Sequence, residues 1–144
     1  MNVKIYGAGS IGNHFSHAAL RMGWNVDVYD IDKNALTRMK NEIYPSRYGN
    51  WNEKIGLFSN SEINKKEYDL VIIGTPPDTH LDLYSKIIKE SPKGILIEKP
   101  LCKPTTDDIK KISKISSDKT RVFVGYNHSV SKGISKILSI VKAR

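Results

Sequence analysis

The stretch Val3-Lys4-Ile5-Tyr6-Gly7-Ala8-Gly9-Ser10-Ile11-Gly12 joins an apolar run to a glycine pattern. The pattern GxGxxG here follows a predicted strand and opens a predicted helix, which is the context in which it binds a dinucleotide. Gly7 permits the tight turn, Gly9 lets the backbone approach a pyrophosphate, and Gly12 lets the helix pack close to the strand. We therefore expect the free N–H groups at the start of this helix to face phosphates.

A carboxylate at the end of the next strand strengthens this interpretation. The apolar run of residues 25–29 ends at Asp30, 18 residues after Gly12. A spacing of about 20 residues is typical of the acid that binds the adenosine ribose hydroxyls. The alternative is that Asp30 only caps the following helix and that the glycines only make a turn. The pairing of the two features favours dinucleotide binding.

The composition describes a globular domain of ordinary size. The chain has 144 residues, of which 39% are hydrophobic and 26% are charged. No apolar run approaches the roughly 20 residues that span a bilayer. A predicted strand begins at the N-terminus without a secretory signal, so we expect a cytoplasmic protein. The single cysteine, Cys102, excludes an internal disulfide, offers no metal cluster, and is predicted to be a small buried hydrophobe rather than a reactive thiol.

The net charge of +8 is concentrated in the last third of the chain. Residues 1–98 carry 12 basic and 12 acidic side chains, whereas residues 99–144 carry 11 basic and 3 acidic ones. Nucleic-acid binding through this segment is an alternative function, but the only aromatic residues there, Phe123 and Tyr126, belong to a predicted strand. A solvated lysine face is the favoured interpretation, so we expect neither a nucleic-acid nor a membrane partner.

Strands and helices alternate along the whole chain, which predicts an α/β fold: a doubly wound, mainly parallel sheet with helices on both faces, the Rossmann fold. Ligands of such sheets bind beyond the carboxyl ends of the strands. Five polar groups fall at predicted strand ends, namely Gly7 to Gly12, Asp30, Thr75 to His80, Glu98-Lys99 and Asn127-His128. We expect these groups to converge on one site.

Four local predictions concern three helix faces and a loop. The first helix, Ser10 to Met22, is expected to bury an apolar face of Ile11, Phe15, Ala18, Ala19 and Met22. Residues 44–51 are predicted to be a loop that packs its own rings on the core or forms a partner contact. A helix from Thr105 is expected to turn Ile109, Ile112 and Ile115 inward, and a last helix carries Val130, Ile134, Ile137, Leu138 and Val141 on one face.

Lys99 is the candidate for chemistry. It follows a buried strand and precedes Pro100, which restricts the local backbone. An ammonium there is suited to polarise a carbonyl or to stabilise an alkoxide during hydride transfer. An ordinary surface lysine is an equally good interpretation of the spacing alone. His80 and His128 are candidates for hydrogen bonds to cofactor or substrate, although such histidines are more often structural.

Four motifs together resemble the cofactor-binding half of the Gfo/Idh/MocA oxidoreductases, the family of glucose–fructose oxidoreductase and inositol dehydrogenase. They are Gly7-Ala8-Gly9-Ser10-Ile11-Gly12, Thr75-Pro76-Pro77-Asp78-Thr79-His80, Glu98-Lys99-Pro100-Leu101 and Gly125-Tyr126-Asn127-His128. The resemblance covers essentially the entire chain. It implies an NAD(P)-dependent enzyme that transfers hydride between nicotinamide and a sugar, a cyclitol or a nucleotide-sugar.

The resemblance also implies roles for individual residues. Thr75, Pro76 and His80 resemble the stretch that lines the nicotinamide ribose and ring. Lys99 resembles the catalytic lysine that contacts cofactor and substrate. The full set of implied cofactor-binding residues is Gly7, Gly9, Ser10, Ile11, Gly12, Asp30, Ile31, Thr75, Pro76, His80, Glu98, Lys99 and Asn127. Asp30 favours NAD over NADP because a 2′-phosphate would meet a carboxylate, a preference that Lys33 or Arg38 would soften.

The family's substrate pocket lies in a second α/β domain, which this sequence lacks. We expect residues 1–128 to form the Rossmann domain and residues 129–144 to form a helix that leads toward the missing domain. The chain is then an excised domain or a natural fragment that binds cofactor without turnover, and the full-length protein is a homo-oligomer. The alternative is a non-catalytic dinucleotide-binding module that senses redox state or serves assembly.

Overall fold

The computed structural model describes residues 1–59, 66–112, 115, 119–126 and 131–142. The strands are β1 (Asn2–Tyr6), β2 (Asn25–Asp30), β3 (Ile55–Ser59), β4 (Leu70–Ile73), β5 (Gly94–Ile97) and β6 (Arg121–Val124). The α-helices are α1 (Ser10–Arg21), α2 (Lys33–Arg38), α3 (Tyr44–Tyr48), α4 (His80–Ile87), α5 (Thr106–Ile112) and α6 (Lys132–Lys142). A π-helical turn, Met39–Ile43, joins α2 to α3, and a 3-10 turn, Ile88–Glu90, follows α4.

The six strands form one sheet in the order β3-β2-β1-β4-β5-β6. Every neighbouring pair is parallel, and Val3 of β1 lies opposite Val26 of β2 and Leu70 of β4. The direction in which strands are added reverses between β1 and β4, which is the topological switch point of the Rossmann fold. The predicted doubly wound α/β architecture is confirmed.

Two hydrophobic cores cover the two faces of the sheet. Val3 and Ile5 of β1 belong to the first core, together with Ala19 of α1. Ile73 and Ile97 belong to the second, where Tyr84 and Ile87 of α4 pack on the sheet. Strands β4 and β5 are continuous apolar runs, as expected of parallel strands with both faces covered. Burying one such side chain stabilises the fold by roughly 1.5–3 kcal/mol.

The buried face of α1 matches the predicted one only in part, since Ala19 and Phe15 pack in the first core as expected. Gly12, Asn13, Ser16 and Ala19 are buried, whereas Ala18 and Met22 are exposed. Close packing of α1 on the sheet favours small side chains, and the two polar ones satisfy their donors locally. The Ser16 hydroxyl donates to the Gly12 carbonyl at 2.7 Å, and the Asn13 amide nitrogen donates to the Gly9 carbonyl at 2.9 Å.

The prediction of a loop over residues 44–51 is wrong for its first half, because Tyr44–Tyr48 is the helix α3. Pro45 lies in the first turn, where a proline is tolerated, and Gly49, at φ 84°, ends the helix. The predicted packing of the rings is confirmed, since Tyr44 is buried in the first core and Tyr48 and Trp51 pack against it.

Two predictions for the last third of the chain are resolved in part. Ile109 of α5 is 59% exposed, so the prediction that it faces inward is wrong, whereas Ile115 packs against the second core. Val141 of α6 is exposed. Val130 and the side chains of Ile134, Ile137 and Leu138 lie outside the described part of the chain.

Of the helices in the described part of the chain, none is long and apolar enough to cross a membrane.

Candidate functional site

The glycine turn between β1 and α1 is built on close backbone contacts. The Gly7 N–H donates to the Tyr29 carbonyl at 2.8 Å, and the φ angle of Gly7 is +102°. A Cβ on Gly7 would lie 2.8 Å from the Gly74 carbonyl oxygen, and one on Gly12 would overlap the Gly7 carbonyl oxygen. A Cβ on Gly9 would meet no atom within 4 Å. Gly7 and Gly12 are therefore required by the turn itself, whereas Gly9 faces open space.

The N-terminus of α1 lacks the usual means of satisfying its free N–H groups. Its N-cap residue is Gly9, which has no side-chain oxygen, and its first turn contains no acidic residue. Helix N-termini normally carry a Ser, Thr, Asp or Asn cap, or an acid that complements the helix dipole. An uncapped N-terminus beside a glycine turn is suited to bind an anion such as a phosphate.

The Asp30 carboxylate lies beside the same turn and supports it. One oxygen accepts from the Ala8 N–H at 2.8 Å and the other from the Asp32 N–H at 2.9 Å. The alternative role, capping the next helix, belongs to Asp32, which accepts from the Asn34 N–H at 2.9 Å. Each carboxylate oxygen has two acceptor positions, so Asp30 keeps capacity for further donors such as ribose hydroxyls.

A cleft of about 770 Å³ opens at the carboxyl ends of β1, β2 and β4. Six of the predicted site residues line it, namely Gly7, Gly9, Asp30, Ile31, Thr75 and Pro76. Ile31 is 81% exposed, an unusual state for a large apolar side chain at the edge of a cleft. The volume of the cleft lies within the ordinary range for small-molecule sites.

One wall of the cleft extends beyond the predicted motif. Asp82, Leu83 and Lys86 line it from one face of α4, next to Asp78 and Thr79 of the predicted group Thr75 to His80, and Arg38 contributes from α2. The residues from α4 recur at intervals of three and four, the spacing of one helical face. The same periodicity is visible in the sequence. It would predict these residues of α4 as part of the site once the end of β4 is assigned to the site.

His80 is fully buried rather than exposed in the cleft. Its Nε2 lies 2.7 Å from the Thr75 carbonyl oxygen and its Nδ1 lies 3.1 Å from the Pro100 carbonyl oxygen. The ring therefore bridges the loop after β4 to the loop after β5, which carries Lys99. Carbonyl oxygens only accept, so a neutral imidazole donates to one of them at a time and only the doubly protonated ring donates to both.

We expect His80→Ala to lower the free energy of unfolding by about 1–3 kcal/mol, because it removes a fully buried ring and the hydrogen bond by which that ring joins the two loops. Urea denaturation followed by circular dichroism measures this change. The control is Lys54→Ala, which removes an exposed side chain and should change the stability by less than about 0.5 kcal/mol. Equal stability of the two variants would contradict the bridging role.

Glu98 and Lys99 follow β5 at the same edge of the sheet but do not line the cleft. The Glu98 N–H donates to the Ile73 carbonyl at 2.9 Å, and the Glu98 carboxylate accepts from the Lys99 N–H at 3.3 Å. A Cβ on Gly125 would lie 2.8 Å from the same carboxylate. Lys99 is exposed, and among the described residues no ion pair or hydrogen bond holds its ammonium group.

The remaining predicted residues border the cleft without lining it or lie outside the described part of the chain. Ser10 and Ile11 are exposed in the first turn of α1. Asn127 and His128 lie outside the described residues. Cys102 is half-buried, and burial, followed by the Asp108 carboxylate, raises the pKa of its thiol. A raised pKa disfavours the reactive thiolate, in agreement with the predicted inert role.

A second hollow, of about 600 Å³, lies at the amino ends of the strands beside Asp69 and Glu90. Its charges are already paired, since Lys93 contacts Asp69 at 2.6 Å and Lys4 contacts Glu90 at 3.6 Å. The Lys93 ammonium and, second, the Asn2 N–H hold the pKa of Asp69 below its usual range. Parallel sheets bind ligands at the opposite edge, so the cleft at the carboxyl ends is the candidate site.

Solved structures with the same fold include several dehydrogenases. A WlbA dehydrogenase from Bordetella pertussis, in complex with NADH and UDP-GlcNAcA, superposes on 99% of this chain with a TM-score of 0.73 and 17% identity. The myo-inositol 2-dehydrogenase from Lactobacillus plantarum covers 99% of this chain with a TM-score of 0.72 and 19% identity. The scyllo-inositol dehydrogenase from Lactobacillus casei covers 99% of this chain with a TM-score of 0.74 and 14% identity. At these identities the likeness shows the fold.

The chain spans about two fifths of these proteins, 42%, 41% and 41% of their respective lengths. No curated protein matches it by sequence. The Gfo/Idh/MocA family model, described as an oxidoreductase family with an NAD-binding Rossmann fold, matches residues 1–128. The resemblance drawn from the four motifs is therefore confirmed, and the chain belongs to the Gfo/Idh/MocA oxidoreductase family.

Proposed function

We propose that this chain is the NAD-binding part of an enzyme that transfers hydride between nicotinamide and a CH–OH carbon of a sugar, a cyclitol or a nucleotide-sugar. The observation that carries the proposal is the cleft at the carboxyl ends of the strands, bounded by the glycine turn, by Asp30 and by the loop after β4. The family is an oxidoreductase family with an NAD-binding fold, and the substrate classes are those of its structural neighbours.

The residues of the cleft fit the parts of a dinucleotide. The free N–H groups of α1 and the open space beside Gly9 suit the pyrophosphate. Asp30 retains acceptor capacity for the adenosine ribose, and the exposed Ile31 beside it offers an apolar surface to the adenine. Thr75 and Pro76 would then border the nicotinamide end, with Glu98 and Lys99 near the reacting carbon. The bound cofactor supplies hydride chemistry, and the protein supplies its position and charge.

We further propose that the isolated chain binds cofactor without turnover. Hydride transfer to or from a carbinol also needs a group that takes or gives the hydroxyl proton. The residues that line the cleft bind and orient a dinucleotide, and the chain spans about two fifths of its structural neighbours. The substrate pocket and the general acid or base are therefore assigned to a second domain, which also makes the oligomer interface.

Isothermal titration calorimetry with NAD and NADP tests the proposal. We expect NAD to bind more tightly than NADP, because the 2′-phosphate would lie against the Asp30 carboxylate. Asp30→Asn should weaken NAD about tenfold, which corresponds to about 1.4 kcal/mol, and should weaken NADP less. The control is Asp32→Asn, which removes a charge from the same cleft and keeps a good helix cap. No binding of either cofactor at millimolar concentration would overturn the proposal.

A further inference from the structure

We propose that Arg47 is a phosphate-contact residue of the dinucleotide site, and this inference rests on the proposed function. Arg47 lies in α3, the segment that the sequence predicted as a loop, 37 residues beyond Ser10. Its Nη1 donates to the Ser10 hydroxyl at 2.9 Å and lies 3.4 Å from the Ser10 carbonyl oxygen. A guanidinium group is thereby held on the residue that begins α1.

Packing of α3 against α1 fixes this position. Tyr44 is buried in the first core, and the Tyr48 ring stacks on the His17 ring with centroids 4.0 Å apart and planes 9° from parallel. The Tyr48 hydroxyl also contacts Nδ1 of His14. The two aromatic residues flank Arg47 on a short helix, so their contacts with α1 determine where its side chain begins. The contact with Ser10 therefore belongs to the packed structure of the domain.

The sign of the charge points to an anionic ligand. The N-terminus of a helix carries partial positive charge, so a cation there is unfavourable unless an anion lies between them. The first turn of α1 contains no acid that would compensate Arg47. Arg21, in the last turn of the same helix, shows the arrangement that the dipole favours. Among the ion pairs of the described residues, none involves Arg47.

The hydrogen-bonding capacity of the pair suits a pyrophosphate. A guanidinium has five N–H donors in a fork that matches two phosphate oxygens, and only one of its nitrogens is engaged by Ser10. The Ser10 hydroxyl accepts from Arg47, which leaves its own hydrogen free to donate. Together with the N–H groups of α1, this pair offers donors and positive charge, while the Asp30 carboxylate at the same turn accepts from the Ala8 and Asp32 N–H groups. The glycine turn alone provides the N–H groups but no formal charge.

A series of ligands separates this role from a structural one. Affinities of wild type and Arg47→Gln are measured by calorimetry for NAD, ADP-ribose, ADP and adenosine. We expect three- to tenfold weaker binding of the three ligands that contain a pyrophosphate and unchanged binding of adenosine. The thermal midpoint without ligand should stay the same or rise, because a cation is removed from the positive end of α1. The matched control is Arg21→Gln, which removes the same charge about 18 Å away at the other end of the helix and should leave all four affinities unchanged.

Each outcome decides the question. Loss of adenosine binding along with the others, or a fall of the thermal midpoint without ligand, would show that Arg47 only holds α3 to α1. Unchanged affinities for all four ligands in Arg47→Gln would also overturn the inference while leaving the proposed function intact. If the glutamine variant does not fold, Arg47→Lys replaces it, and the loss should then be confined to the same three ligands. Failure of the wild type to bind NAD contradicts the proposed function itself.

Discussion

Gly12→Ala is expected to destabilise the domain by about 3 kcal/mol or more, a large share of the 5–15 kcal/mol that typically stabilises a domain. The added Cβ would overlap the Gly7 carbonyl oxygen and lie 3.1 Å from the Gly7 carbonyl carbon. Both are backbone atoms, which no change of rotamer can move. Helix α1 would have to shift away from β1, and the first core would open. Urea denaturation followed by circular dichroism measures the loss, and weak NAD binding should accompany it.

Gly9→Ala is the matched control in the same turn. Here we expect unchanged stability together with weaker NAD binding. A Cβ at Gly9 meets no atom within 4 Å, and its φ of −74° is open to any residue. The variant should therefore be as stable as wild type or slightly more stable. NAD affinity should still fall at least tenfold, because the methyl group points into the space proposed for the pyrophosphate. A Gly9→Ala variant that binds NAD normally would contradict the placement of the pyrophosphate.

The fold was predictable because its signals are local and mutually consistent. The glycine turn requires a strand before it and a helix after it, and the apolar runs of residues 70–73 and 94–97 are too continuous for strands with a solvated face. Alternation of such strands with helices leaves few topologies, since parallel crossovers are right-handed. The order of the strands then places the ends of β1, β2, β4 and β5 along one edge.

Helix faces were harder to predict, because hydrophobic periodicity uses only the positions of apolar residues. It takes no account of side-chain size or of local hydrogen bonds. Asn13 and Ser16 are buried against the sheet, where their side chains donate to carbonyl groups of the preceding turn. The sequence pattern does not predict helix α3, because Pro45 and Gly49 are also typical of turns. A proline is compatible with the first turn of a helix, and the rings of Tyr44 and Tyr48 lie at the i, i+4 spacing.

The site was predicted at the level of strand ends but not at the level of side-chain direction. The sequence placed His80 and Thr75 in one motif, yet it contained no information that the imidazole turns inward to the carbonyl groups of two loops. The contact of Arg47 with Ser10 depends on how α3 crosses α1, a tertiary feature without a local signal. Asp82 and Lys86 were missed because the cleft extends along α4 beyond the motif.

Lys99→Ala in the full-length protein is expected to lower kcat by about 10²–10³, while the affinity for NAD changes by less than about threefold. The ammonium of Lys99 is exposed at the end of β5, and it has no partner among the described residues that would hold it away from a substrate. A positive charge beside the reacting oxygen stabilises the alkoxide character that develops during hydride transfer. In the proposed site, binding of the cofactor would depend mainly on the glycine turn and Asp30. Single-turnover reduction of NAD measures the chemical step, and fluorescence titration with NADH measures the affinity.

Lys103→Ala is the control for this prediction. Its ammonium lies four residues further along the same loop and already contacts the Asp78 carboxylate at 3.5 Å, so its removal should leave kcat within about twofold of wild type. A large loss confined to Lys99→Ala favours an oxidoreductase that uses the lysine in its chemical step. If neither variant loses turnover, or if the full-length protein binds NAD and oxidises no sugar, cyclitol or nucleotide-sugar, the non-catalytic dinucleotide-binding module becomes the better account. The ammonium of Lys99 would then be an ordinary surface charge at the end of β5.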